Sequence, residues 1–326
     1  GKGPYAGELR KLNRLAHKLR KARFKEGSIN FETNEVKFRL DEDGTPLEVF
    51  VKERKDSNML IEDFMLLANR EVASFIDRKA AGHEIPFVYR VHDEPDPDKV
   101  EEFARFAREF GFEMNVSSKT EIARSFNRLN KEAEKTPALK LLEPVAIRTM
   151  AKAAYSTDNI GHYGLGFDFY SHFTSPIRRY SDVLAHRILA LNLAAEDPVR
   201  VKKDPLEEQC RHISLQERKA MEAERESVKY KQVEFIEKHI GETFLGQISG
   251  FSDFGIYVEL KENYCEGMIS FVNLPEPFDL ATSRLKITGM HSGKELKMGD
   301  DIWVRIAATD LARRRIDMEW DQEAGA

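Results

Sequence analysis

The sequence predicts an α+β chain: mixed helix and strand over residues 1–240, followed by a small all-β barrel over residues 241–326. Three observations predict it. Before Gly241, apolar residues recur at helical spacing in some segments and alternate with period two in others; after it, only short alternating runs and glycine turns remain. With 326 residues, 41% of them hydrophobic and 33% charged, the chain can bury a sizeable core in two domains. A charged, proline-bearing stretch, EDPVRVKKDP at 196–205, reads as a linker between helices.

Composition narrows the function classes. No apolar run approaches the length of a membrane span, and GKGPYAGELRK lacks the apolar core of a signal peptide, so no membrane partner is expected. Two cysteines far apart in sequence, Cys210 and Cys265, predict reduced thiols, a cytoplasmic protein and no zinc site. A net charge of −5 excludes a uniformly basic nucleic-acid binder. The charge is uneven, however: residues 1–26 hold nine Lys or Arg against two Glu, and residues 241–326 hold nine against fifteen acids. Any nucleic-acid path is therefore a local patch or channel.

Residues 8–25 place Leu9, Leu12, Leu15 or Ala16, and Leu19 at helical spacing among lysines and arginines, a basic amphipathic helix whose charged face is either solvated or in contact with phosphate. Val36, Phe38 and Leu40 alternate, DEDG turns, and Leu47, Val49 and Val51 alternate again, which predicts a hairpin. The segment from Asp56 or Ser57 to Gly82 reads as a helix burying Phe64, Leu67 and Phe75, with Glu62 and Asn69 on one side of it. Phe87, Tyr89 and Val91 mark a strand; Val100, Phe103, Phe106 and Phe110 mark a helix stopped at Gly111; residues 118–154 read as helical throughout. GHYGLGFDFY, from Gly161, lacks the spacing of a phosphate-binding loop, and His162 and His172 are either bases or hydrogen-bonded structural histidines. After the linker, residues 206–240 predict one long charged helix. The runs TFLGQISGFSDFGIYVEL, EGMISFVNL and DDIWVRIAATDLARRRIDMEW then predict a five-stranded barrel of the OB type.

The stretch HFTSPIRRYSD, His172–Asp182, reads as a loop running into a helix, with Ser175 as N-cap, Pro176 in the first turn and an apolar stripe at Tyr180, Leu184, Ile188 and Leu191. Arg178 and Arg179 then sit where the helix dipole disfavours cations by roughly 0.3–1 kcal/mol each. A bound phosphate would reverse that cost; so would simple solvation of both side chains.

HFTSPIRRYSD, with GHYGLGFDFY before it and SDVLAHRIL after it, resembles the signature of the ribonuclease II and ribonuclease R (RNB) exoribonuclease family. The run GQISGFSDFGIYVEL resembles the S1-type RNA-binding domain that closes family members. The resemblance implies 3′-to-5′ hydrolysis of single-stranded RNA to nucleoside 5′-monophosphates. By it, Arg178 grips a phosphate near the scissile bond with Arg179 beside it, Phe31, which the local pattern alone makes a core aromatic, stacks on bases at the 3′ end, and Glu62 and Glu224 contact the terminal nucleotides. Phe251, Phe254 and Tyr257 become the stacking aromatics of the S1-type domain, or one or two of them are barrel core, with Arg314 in the adjoining basic patch and Ser270 where many such domains carry His.

Family members use two Mg²⁺ ions held by a tight aspartate motif. Asp41 and Asp43, in the hairpin turn, and Asp93, Asp96 and Asp98, around prolines, lack that spacing, so no metal ligands are expected in this chain. The resemblance thus implies the later part of an RNB catalytic domain plus an S1-type domain, monomeric and inactive alone, or else a shortened homologue that only binds RNA.

Overall fold

The computed structural model of the chain describes residues 3–30, 35–80, 82–280 and 285–324. In chain order its elements begin with α1 (Ala6–Lys25), β1 (Val36–Leu40), β2 (Pro46–Val51), α2 (Asp56–Ala80), β3 (Tyr89–Val91) and α3 (Pro97–Glu109). Next come α4 (Lys119–Ala133), α5 (Pro137–Lys140), α6 (Leu142–Arg148), β4 (Ala154–Ser156), α7 (Tyr180–Leu193) and α8 (Lys203–Ile236). The strands β5 (Thr243–Phe251), β6 (Gly255–Leu260), β7 (Glu266–Ser270), β8 (Phe278–Leu280), β9 (Lys286–Gly289), β10 (Glu295–Lys297), β11 (Asp301–Asp310) and β12 (Arg315–Trp320) follow. The chain divides into two units, residues 1–31 with 54–219, and residues 32–53 with 220–326.

In the first unit α1 lies against α2. Their seam is ionic as much as apolar: Asp63 of α2, with a side chain 2% exposed, takes Arg20 at 2.7 Å and Arg23 at 3.4 Å. Left unpaired, a charge so buried would cost several kcal/mol, so the pairing fixes how the helices meet. The predicted α2 side is corrected accordingly, since Phe64, Leu67 and Phe75 are only half-buried while Leu60, Asp63, Asn69, Ala73 and Ile76 are fully buried.

Asp96 caps α3 through the Asp98 amide, with Pro97 in the first helical position, as its chemistry favours. The continuous helix predicted over 118–154 is three helices and a strand. Thr136, ahead of Pro137, is extended (φ −125°, ψ 97°), as steric conflict with a following proline ring demands. Beyond them β4 pairs antiparallel with β3, Tyr89 opposite Ser156. Phe87, Val88, Tyr155, Leu184, Ala185, Ile188 and Cys210 form the core here.

In the second unit β1 and β2 form the predicted hairpin, Val36 opposite Val51, and the Gly44 carbonyl at its turn accepts from Lys231 Nζ of α8 at 2.6 Å. Five strands close a barrel in the order β11, β12, β7, β6, β5, filled by Ile248, Ile256, Val258, Leu260, Ile269, Val304 and Met318. Between β7 and β11 the chain adds a three-stranded sheet, β8 to β10, that strand spacing did not predict. Cys210 and Cys265 are buried free thiols, both pushed up to about 12 by burial. No helix among the described residues is long and apolar enough to cross a membrane.

Candidate functional site

Residues 172–182 do not form the predicted helix start. The helix begins at Tyr180 with Arg179 as its N-cap, and residues 175–179 close a tight loop in which the amides of Arg178 and Arg179 both donate to the Ser175 carbonyl. The cause is Asp182, whose carboxylate is 0% exposed and reaches back seven residues to accept the Ser175 amide at 2.8 Å. The same carboxylate takes Arg179 in a two-pronged pair, Nε at 2.9 Å and Nη2 at 2.8 Å, and the Ser181 hydroxyl at 3.0 Å. Burial alone would raise the Asp182 carboxyl; Arg179, the Ser175 amide and Ser181 outweigh it and hold it below the ordinary value. The predicted apolar stripe is also narrower, since Tyr180 is 48% and Leu191 50% exposed.

The loop therefore divides its two arginines. Arg179 is committed to Asp182 and acts as a latch, which corrects its reading as a residue open to phosphate. Arg178 is exposed and has no ion-pair partner among the described residues, beside the fully solvent-facing Ile177. A planar, unpaired guanidinium on a clamped loop suits an incoming phosphate oxygen pair.

Behind the loop lies a wall of rings. His172 Nδ1 is hydrogen-bonded to the Tyr155 hydroxyl at 2.7 Å, and Tyr170 stands edge-on to His172 with centroids 5.7 Å apart. Arg90 lies over Tyr155 at 4.6 Å and pairs with Glu217 at 2.6 Å. Asn69 joins α2 to this wall, donating to the Tyr170 hydroxyl at 3.1 Å and accepting the Phe173 amide at 3.0 Å. Burial, then the charges of Arg179 and Arg90, push His172 down to about 3. His162, bonded at Nδ1 by the Leu165 amide, is pushed down to about 3 by burial and His92. Both rings are held by hydrogen bonds within the fold.

Glu62, on α2, pairs with Arg54 at 2.5 Å. Phe31 lies outside the described residues. Glu224 is exposed on α8, in the second unit. There a groove of about 600 Å³ is lined by Phe254, Tyr257, Ser270, Phe271 and Arg313–Arg315, with Phe254 74% exposed. Phe251 is corrected from stacking ring to barrel core, at 8% exposed. A bulge between Ile248 and Gly250 shifts the strand's parity and turns that ring inward. Arg314 pairs with Glu226 at 2.7 Å, Arg315 with Asp317 at 2.9 Å and Arg313 with Asp310 at 3.7 Å, so the groove offers aromatic faces more than net positive charge.

Sequence reasoning missed Asp182, Arg90, Tyr155 and Glu217. Only Asp182 had a local signal, an acid three residues after an arginine in a first helical turn. Among the described residues no three His, Cys, Asp or Glu side chains come together as metal ligands.

The RNB domain family model matches residues 2–195, and the S1 RNA binding domain model matches residues 237–320. Ribonuclease R of Aquifex aeolicus is 37% identical over 315 residues, covering 95% of this chain and 44% of that protein. The apo form of Mycoplasma genitalium RNase R superposes with a TM-score of 0.85 at 27% identity, covering 96% of this chain and 49% of that one. The same enzyme in complex with ribose methylated single-stranded RNA gives 0.84 at 27% identity. The chain thus spans less than half the length of these relatives.

Proposed function

The chain belongs to the RNB family, and from that premise we propose that it is the RNA-holding part of a 3′-to-5′ exoribonuclease that degrades single-stranded RNA to nucleoside 5′-monophosphates. Residues 1–240 act as a portion of the catalytic domain and residues 241–326 as an S1-type module, a division that the two family matches support. The protein works as a monomer in the cytoplasm, a reading that its two free thiols favour.

The observation that carries this reading is the clamped loop with one unpaired arginine. Asp182 and Arg179 fix the loop, and Arg178 binds and orients a backbone phosphate near the scissile bond. In the first unit Phe31 and Glu62 hold the terminal nucleotides; in the second, Glu224 contacts RNA and Phe254 and Tyr257 stack on bases. Mg²⁺, when bound, supplies charge stabilisation at the reacting phosphate; its carboxylate ligands come from outside the described residues. In the protein extended upstream in its gene, Arg178→Ala should slow nucleotide release from a labelled RNA at least tenfold; unchanged kinetics would overturn the assignment.

A second reading is an RNA-binding module without activity, which the S1 RNA binding domain match over residues 237–320 supports. EDTA-sensitive release of nucleotides by the extended protein would exclude it.

A further inference from the structure

Helix α1 carries charge in an arrangement that the Arg178 loop and the aromatic groove do not use. Lys11, Arg14, Lys18, Lys21 and Lys25 follow one another at intervals of three and four residues, so they form one stripe about 21 Å long. All five are exposed, and none has a carboxylate within ion-pair distance among the described residues. The inward-facing cations of the same helix are matched: Arg20 at 2.7 Å and Arg23 at 3.4 Å both pair with Asp63. Unmatched charge is thus sorted to the outside, in a chain whose net charge is −5. Like charges at this spacing weaken a helix, a penalty that a bound polyanion removes.

We propose that the outer face of α1 is a track for the phosphate backbone of single-stranded RNA, separate from the Arg178 loop and from the aromatic groove. It rests on the functional reading in one respect, that the ligand is RNA. The groove's own arginines are each paired with a carboxylate and Lys229 is its one unpaired cation among the described residues, so most backbone charge must be met elsewhere. A lipid surface fits less well. A helix lying in a bilayer interface needs a free apolar face opposite its cations. Opposite this stripe Leu9 and Leu12 are 53% and 40% exposed, but they stand alone: Ala16 is buried, Asn13 bonds Asp56 at 2.5 Å and Arg20 is taken by Asp63, so no continuous apolar face runs along the helix.

The track reads charge and not sequence, so its signature is salt dependence. Each phosphate neutralised on a single strand contributes about −0.7 to the slope of log K against log salt. Fluorescence anisotropy with labelled U20 and A20 would compare the wild-type chain with Arg14→Gln/Lys18→Gln/Lys21→Gln. The slope should fall in magnitude by about 2 for both RNAs, so that roughly twentyfold of the affinity loss between 50 and 200 mM salt disappears. The double variant Lys11→Gln/Lys25→Gln should lower it by about 1.4. Phe254→Ala should weaken binding with the slope unchanged. If Phe254→Ala weakens binding while both stripe variants keep the wild-type slope, the track is overturned and the functional reading stands. If the wild-type chain binds neither RNA, both fall. Stripe-dependent capture of phosphatidylserine vesicles with an unchanged RNA slope would overturn the track in favour of a membrane surface.

Discussion

Replacing Asp182 with Asn keeps the side chain's shape and removes the charge that Arg179 faces. The pair is largely desolvated, Asp182 at 0% and Arg179 at 18% side-chain exposure. Removing one partner of such a pair costs roughly 3–5 kcal/mol, and the low end applies because the amide oxygen can still accept the Ser175 N–H. For a unit of this size, about 1 kcal/mol moves the melting temperature by roughly 2–4 °C, so a drop of about 6–12 °C is expected. Circular dichroism melts and urea titrations at unchanged m would measure it. Adding Arg179→Met should recover most of the loss, because both charges are then gone. The pH dependence has a definite sign. The Asp182 carboxyl is held below its ordinary value in the folded chain, so its contribution is complete above the ordinary aspartate range. It is lost as pH falls through the folded value, so the gap between wild type and D182N should narrow below about pH 4. A D182N melt within 2 °C of wild type, or a gap that acid leaves unchanged, would refute the clamp.

His162 and His172 are both held at about 3, below the ordinary 6.5, so the unfolded chain takes up protons that the folded chain refuses. Stability should therefore be full above about pH 6.5 and decline toward pH 3, with both ring resonances flat between pH 5 and 8; an inflection of either in that window contradicts the burial argument. Phe251→Ala should cost roughly 3–5 kcal/mol of barrel stability. Phe254→Ala should leave stability within about 0.5 kcal/mol while weakening RNA binding by roughly 1–3 kcal/mol; the reverse pattern in urea melts and binding isotherms would put the wrong ring in the core. Arg178→Ala should melt within about 0.5 kcal/mol of wild type, since its side chain is exposed and unpaired, and a larger loss would show a structural partner.

What was legible in the sequence followed from short-range periodicity and from motif. Val36 to Val51 alternates cleanly around DEDG and folds as a hairpin; the barrel strands were likewise readable, whereas β8 to β10, three or four residues each, are too short to show a period. Arg178 was found through its motif, but the same local logic made Ser175 a helix cap. That failed because the buried Asp182 carboxylate, seven residues on, ties the Ser175 amide and the Arg179 guanidinium together in a tight loop, and the helix starts only after it, at Tyr180. The wall behind the loop joins Arg90 to Glu217, 127 residues apart, and Asn69 to Tyr170, 101 apart, distances at which no pattern in one sequence speaks. Phe251 was assigned by resemblance, and the bulge between Ile248 and Gly250 that accompanies its place in the core leaves no mark on the local sequence pattern.

The hairpin of β1 and β2 belongs to the second unit but is separated from the rest of it by residues 54–219. A two-stranded hairpin alone is marginal in water. On a ribosome adding roughly 5–20 residues per second, its turn carbonyl at Gly44 waits about 10–40 s before Lys231, 187 residues later, is synthesised. Through that interval the hairpin lacks this tether to the rest of its unit. Synthesis speed and chaperone supply, more than the final stability of the barrel, should then govern the yield of correctly assembled chain, and cutting the barrel out at residue 241 would leave behind a piece of the unit to which it belongs.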